Sequence, residues 1–170
     1  MNKIFYLLFL LFVNFSFAQE TQFKITKESI TDYIVVSFKD QTQSVLYKKT
    51  LDWIAITYKN PNEVIKSQIE NDFIRIEGFE TNFNGSSNCS YQIEISFKDG
   101  KLKFDPQVFT IINGTNKFDL FSTYKSYFDS DGIVKNRLKP TIEGSEKTIN
   151  SLIKSLNDYI ISGKAKKDDW

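Results

Sequence analysis

The sequence predicts an α+β domain with two layers, an antiparallel sheet and two main helices packed on one face of it. Three observations support this class. Apolar and polar residues alternate over 91–98 and continue to alternate after Asp99-Gly100, as in a β-hairpin. Residues 46–58 and 149–160 instead repeat apolar side chains at the helical spacing of three or four positions. Each of these helices has one apolar stripe, so both can cover the apolar face of a sheet.

The first half of the chain predicts a strand followed by a helix. β-Branched residues alternate with other residues over 33–38, a pattern that suits a strand. The helix over 46–58 follows Thr42 and Ser44, either of which can cap its first turn, and Pro61 prevents it from continuing. One strand and one helix therefore precede the main part of the sheet.

The middle of the chain predicts further antiparallel strands. Residues 64–69 and 73–79 predict two strands separated by turn-forming residues, and apolar and charged residues alternate within the second. The alternation of 91–98 leads into a return strand that reaches Ile112. Pro106 lies inside this return strand and lacks an amide hydrogen, so we expect an edge position or a bulge there. The whole sheet is expected to have about five to seven strands.

The last third of the chain predicts an irregular segment and a closing helix. Residues 118–138 contain many aromatic side chains without a clean period, and Lys139-Pro140 ends this segment. The closing helix is expected to start after Ser145, a suitable cap, and to stop at Gly163.

The N-terminal residues 1–18 have the organisation of a signal peptide. Lys3 precedes an apolar run, and the small residues Ser16 and Ala18 place the expected cleavage between Ala18 and Gln19. The alternative is a membrane anchor, which requires about 20 apolar residues, more than this run provides. We therefore expect a periplasmic or secreted protein without a stable membrane anchor.

The rest of the chain is expected to form one domain over 19–163, because no repeat or linker divides it. Residues 164–170 form a charged tail that we expect to be disordered. Without a cysteine pair, the domain must depend on packing for its stability.

The composition excludes several classes of function. The chain has 22 Lys and Arg, 21 Asp and Glu, no His and one Cys. Without His there is no imidazole base for a catalytic triad, and one Cys cannot form an intrachain disulfide or a thiolate zinc site. Loss of Lys3 with the signal peptide would balance the charges, which argues against nucleic-acid binding. Cys89 is expected to be a half-buried thiol in a loop rather than a reactive group.

Two short motifs resemble functional sites but predict ordinary structural roles. Asp129-Ser-Asp131-Gly132 resembles part of a calcium loop but lacks the third ligand and the distant Glu, so it predicts an ordinary Asp-Gly turn and no metal site. Ser151 and Lys154 have the spacing of Ser-Lys catalysis, but they lie within the closing helix and predict a solvent-facing surface. No glycine-rich phosphate loop is present, so we expect no cofactor.

Four carboxylates near the predicted strands are the candidates for acid–base chemistry. They are Glu77, Glu80, Glu94 and Asp105. Strand alternation places Glu94 on the solvent side, and we expect solvated cross-strand charges opposite Lys or Arg. A hydrolase without His would need two carboxylates in one cleft, about 5 to 10 Å apart.

One aromatic-rich segment is a candidate for recognition. It contains Phe118, Phe121, Tyr124, Tyr127 and Phe128. Exposed, these side chains would form a binding patch for a partner or a glycan. The alternative is a flap that packs on the face of the sheet without helices.

Several segments resemble a family of exported bacterial proteins. They are 46–55 (LYKKTLDWIA), Tyr58-Lys-Asn-Pro61, 74–78 (IRIEG) and 91–104 (YQIEISFKDGKLKF). The family is a domain of unknown function with a TATA-binding-protein-like fold, common in Bacteroidetes, and the resemblance extends over roughly Tyr33 to Ile112. It implies a curved sheet with its helices on one face and an exported protein. It implies no catalytic residues, and the fold label concerns backbone shape alone.

These observations together favour an exported, non-enzymatic binding domain. Its partner is expected to be a protein, a glycan or another envelope component, and not a nucleic acid. The first alternative is a periplasmic inhibitor or immunity-type protein that neutralises one partner protein. The second is the carboxylate hydrolase described above, which the missing His disfavours.

Overall fold

Six antiparallel strands and four α-helices form the domain in the computed structural model, which describes residues 22–163. The predictions of a signal peptide over 1–18 and of a tail over 164–170 lie outside these residues. The strands are β1 Ile34–Ser37, β2 Ile65–Ile69, β3 Phe73–Glu80, β4 Asn88–Lys98, β5 Lys101–Asn113 and β6 Asn116–Asp119. The helices are α1 Gln43–Thr57, α2 Pro61–Val64, α3 Leu120–Thr123 and α4 Lys139–Ser162.

The sheet is open, with the strand order β2-β3-β4-β5-β1. The short β6 also pairs with β5, at 110–113, whereas β1 pairs with 101–104. The predicted irregularity at Pro106 lies between these two segments of β5. Ile93 pairs with Pro106 and Gln92 with Val108, so one extra residue bulges out of β5. The bulge is confirmed. Around Pro106, β5 pairs with β4 alone, so no strand on its other side requires an amide hydrogen from the proline.

The core lies between one face of the sheet and the two long helices, as predicted. Buried residues of α1, such as Trp53, and of α4, such as Leu156, pack with the buried side chains of β4 and β5. The indole Nε1 of Trp53 donates to Ser155 Oγ at 3.1 Å and links the two helices. The α+β class with two main helices on one face is confirmed.

The start of α1 follows the sequence prediction. Thr42 is its N-cap, and the Thr42 hydroxyl oxygen accepts a hydrogen bond from the Val45 amide at 3.4 Å. Asp99, in the β4–β5 turn, accepts a second one from the Gln43 amide at 2.8 Å. The turn is therefore fixed to the first turn of the helix.

The predicted start of the closing helix at Ser145 is wrong. The helix begins six residues earlier, at Lys139, because Pro140 is tolerated in a first turn, where its missing amide hydrogen costs no hydrogen bond. Ser145 is buried inside α4 and donates to the Thr141 carbonyl at 2.7 Å. The predicted stop at Gly163 is confirmed, with a left-handed φ of 66°.

The prediction that Cys89 lies half-buried in a loop is also wrong. Cys89 belongs to β4, and its side chain is fully buried beneath the helices. Burial, and secondarily the charge of Glu80, raise the pKa of the Cys89 thiol to about 12. The thiol is therefore protonated and unreactive at neutral pH.

Candidate functional site

The candidate site is the open face, by which we mean the face of the sheet opposite α1 and α4. Strand alternation creates it. In β4, Ile93 and Ile95 point toward the helices and are buried, whereas Gln92, Glu94 and Ser96 point the other way and are half-buried. The alternate residues of the strands that point away from the helices therefore form one broad, accessible surface.

Ion pairs occupy the centre of the open face. Arg75 Nη2 lies 2.7 Å from Glu94 Oε2, and Lys103 Nζ lies 2.7 Å from Asp105 Oδ2. The hydrogen bond to Asp105 raises the pKa of the Lys103 ammonium group. The predicted cross-strand pairing is confirmed for Glu94, whose partner Arg75 lies opposite it on β3. Asp105 instead pairs with a lysine of its own strand, β5. Glu77 lies 4.0 Å from Lys66 in a looser pair.

Glu80 behaves differently from the other three carboxylates. Its Oε2 accepts a hydrogen bond from the Thr148 hydroxyl of α4 at 2.8 Å. It therefore joins the edge of the sheet to the helix layer and takes no part in the ion pairs of the open face.

Glu94 and Asp105 are direct partners in the register of β4 and β5. Among the strand pairs of residues 22–163, this one places two carboxylates side by side, as a catalytic pair would require. However, each carboxylate is bound by its own cation at 2.7 Å, and both lie on a sheet surface rather than in an apolar cleft. The general acid of a glycosidase instead requires an apolar pocket without a paired cation, because such surroundings raise the pKa of its carboxyl group.

A pocket of about 430 Å³ lies at the end of the open face beside the β4–β5 turn. We call it the lysine pocket, and its lining residues are Tyr33, Val35, Ser96, Lys98, Lys101, Leu102 and Lys103. Lys98 and Lys101 are direct register partners on either side of the turn. Lys103 Nζ lies 5.5 Å from the centre of the Tyr33 ring, in a cation–π contact. Sequence reasoning missed this cluster.

Large apolar side chains surround the ion pairs. Ile69, Phe79 and Val108 are 56%, 58% and 38% exposed, respectively. The register places each of them on the open face. Ile69 pairs with Phe73, which precedes the buried Ile74 of β3. Phe79 alternates with the buried positions of β3, and Val108 pairs with Gln92. The open face thus combines fixed charges with exposed apolar contacts.

The aromatic-rich segment does not form one exposed patch. Phe128 is buried, Phe118 is exposed, and the other three members, Phe121, Tyr124 and Tyr127, are half-buried. The Phe121 ring lies 5.9 Å from that of the buried Phe23 and 6.4 Å from that of the buried Phe109. The segment therefore packs on the helix side of the sheet, and the alternative of a flap over the open face is wrong. Ligand binding by this segment stays a prediction, with Phe118 as its accessible member.

The two short motifs have the local structures that the sequence predicts. Asp129 Oδ1 accepts hydrogen bonds from the Asp131 and Ile133 amides, both at 2.9 Å, around a Gly132 with φ of 80°. Lys154 is exposed within α4 and lies 2.9 Å from Asp158. Over residues 22–163, no group of three Asp, Glu or Cys side chains is placed to hold a metal ion.

A second groove, of about 500 Å³, lies between β1 and α4 on the other side of the sheet edge. Two of its polar side chains are already engaged. Asn150 exchanges two hydrogen bonds with the backbone of Phe23, at 2.8 and 2.9 Å, and Lys154 is paired with Asp158. The lysine that lines this groove is thus paired, whereas Lys98 and Lys101 of the lysine pocket make no ion pair within 22–163.

The comparison with protein families concerns the part of the chain that builds the open face. Residues 33–112 match a family model described as a domain of unknown function (DUF4468) with TBP-like fold. The resemblance to that family is thereby confirmed. The DUF4468 match spans β1 to β5 and α1, which include the lysine pocket and the ion pairs. The aromatic-rich segment and α4 lie beyond it.

Two solved structures are similar to this chain. A DUF4468 family protein from Bacteroides ovatus ATCC 8483 has a TM-score of 0.68 and 13% identity, over 88% of this chain and 95% of that one. A TBP-like protein from Parabacteroides distasonis ATCC 8503 has a TM-score of 0.57 and 10% identity, over 76% and 91%. At such identities the likeness shows the fold alone. The chain matches no curated protein.

Proposed function

We propose that the chain is an exported, non-enzymatic domain that binds its ligand through the open face. The observation that carries this proposal is the arrangement of that face. Fixed ion pairs at its centre adjoin the exposed side chains of Ile69, Phe79 and Val108. Interfaces use this combination of apolar contact and oriented polar groups, and a sheet holds both rigidly.

The absence of catalysis is supported by the chemistry that the chain lacks. It has no His. The adjacent carboxylates Glu94 and Asp105 are each bound to a cation, so neither is an unpaired acid or base. Export is supported by the signal-peptide organisation of residues 1–18. Between residues 22 and 163, no helix has the length and apolar character needed to cross a membrane.

A capture experiment tests the proposal with two matched double variants. The chain over 19–170 is immobilised and exposed to a periplasmic extract of its own source. Phe79→Ser/Val108→Thr removes exposed apolar contacts from the open face, whereas Ile56→Ser/Val45→Thr removes comparable ones from the outer side of α1. We expect one stoichiometric component to bind the native chain and the α1 variant but not the open-face variant. Capture of nothing, or equal capture by all three, would contradict the proposal.

The same experiment separates the inhibitor alternative. If the captured component is a protein whose activity disappears in the complex, the domain is an inhibitor or immunity-type protein. If it is a glycan or an envelope component, the domain is a binding module.

A further inference from the structure

We propose that the lysine pocket binds a small ligand through a compact oxyanion, a carboxylate, sulfate or phosphate group. The proposal rests on the proposed function, since the pocket is one end of the open face. It adds the chemistry of the ligand and the residues that bind it.

The first argument is an uncompensated pair of charges. Lys98 and Lys101 lie directly opposite each other in the register of β4 and β5, and both are exposed. Neither makes an ion pair with any residue between 22 and 163. Like charges directly opposite each other destabilise a sheet. An anion placed between the two ammonium groups would relieve this repulsion.

The second argument is that the nearby carboxylates are already engaged. Asp99 lies between the two lysines in sequence, but the Gln43 amide at the start of α1 holds its Oδ1, and it makes no ion pair with either lysine. Asp105 is bound to Lys103, and Glu94 to Arg75. The positive charge of Lys98 and Lys101 is therefore available to an external anion.

The third argument is the shape of the site. A volume of about 430 Å³ suits a small molecule, and typical ligand pockets begin at about 300 Å³. The Ser96 hydroxyl can donate one further hydrogen bond to an oxyanion. Tyr33 is 52% exposed and, with Val35, offers an apolar wall for the body of the ligand. The pocket thus has a charged end and an apolar side.

The test is a calorimetric titration of the chain over 19–170 at fixed ionic strength. The probes are inorganic phosphate, inorganic sulfate and glucuronate, with glucose as the neutral control. We expect saturable binding of at least one oxyanion and none of glucose. Lys98→Gln/Lys101→Gln should weaken binding by about tenfold or more, the loss of roughly one charge-assisted hydrogen bond.

The matched control is Lys48→Gln/Lys147→Gln, which removes two exposed lysines of α1 and α4 that also make no ion pair within 22–163. We expect less than about a twofold change in Kd. Binding of phosphate or sulfate would assign a tetrahedral oxyanion, and binding of glucuronate alone a carboxylate on a ring. Absence of saturable binding, or equal weakening in both variants, would overturn the inference. Capture through Phe79 and Val108 would then still stand, so the two proposals fail separately.

Discussion

The two faces of the sheet meet different physical demands, and β4 displays both within one strand. Ile93 and Ile95 have no exposed surface beneath α1 and α4. Gln92 and Glu94, one position away, lie half-buried on the open face, where Glu94 is fixed by Arg75. Removal of apolar area from water stabilises the first face, whereas ion pairs between partly exposed groups contribute little. The difference teaches that stability resides on the helix side, which leaves the open face available for recognition.

The largest expected effect on stability comes from a substitution on the helix side of β4, compared with one on its open face. Ile93→Ala should lower the free energy of unfolding by about 2–5 kcal/mol, because it leaves a cavity among fully buried neighbours. Gln92→Ala, the adjacent residue on the other face, should change it by less than about 0.5 kcal/mol. Denaturant unfolding of both variants measures the contrast. Similar losses would show that the two faces do not differ in the way proposed.

The same alternation explains how much of the fold could be predicted. Adjacent residues of β4 sort to opposite faces by local geometry, and the bulge at Pro106 follows from a missing amide hydrogen. The start of α4 could not be predicted in this way. Pro140 permits a start at Lys139, but the first turns also pack closely against the rest of the domain: an added Cβ at Gly144 would lie 2.8 Å from the carbonyl oxygen of Phe83, and Ser145 is buried. Such contacts join residues far apart in the chain.

The residues of the candidate site also divide into those that the local sequence pattern predicts and those that depend on tertiary contacts. The Asp99-Gly100 turn places Lys98 opposite Lys101, so this half of the lysine pocket was present in the local pattern. Tyr33 joins it because β1 pairs with β5, a tertiary contact that periodicity does not contain. The aromatic-rich segment was misleading for a similar reason. Density of aromatic residues does not reveal which side of the sheet they cover, and Phe121 packs against Phe23, distant in sequence.

A smaller effect on stability is expected from pH, and it also distinguishes the helix side of the sheet from the open face. The folded-state pKa of the Cys89 thiol is about 12, raised from an ordinary value of 9.0 chiefly by burial. The stabilisation from the neutral thiol is therefore complete below pH 9 and is lost as pH rises toward 12. We expect the free energy of unfolding to fall by up to about 1.4 kcal/mol per pH unit in this range from this one group. Denaturant unfolding at pH 8, 9 and 10 measures the slope.

Two variants isolate the thiol from the other titrating groups. Cys89→Ala should flatten the slope between pH 9 and 10, because no thiol remains to ionise. Ser90→Ala, at the adjacent residue on the open face, should leave it unchanged. Native Cys89 should also resist thiol reagents at pH 8 until the chain unfolds. An unchanged slope in Cys89→Ala would assign the alkaline loss to other groups, such as Tyr58, whose pKa is also raised, mainly by burial.

The smallest expected effect has the opposite sign and concerns the lysine pocket. Lys98→Gln removes the repulsion from Lys101, its direct register partner, and should raise the free energy of unfolding by about 0.3–1 kcal/mol at low salt. The gain should disappear near 1 M salt, where screening acts over about 3 Å. Lys48→Gln, with no such partner across a strand, serves as the control in the same denaturant titrations. A substitution that stabilises the chain and weakens oxyanion binding would show that these lysines are retained for recognition, at the expense of stability. A loss of stability in Lys98→Gln would instead place Lys98 among the residues that hold the fold.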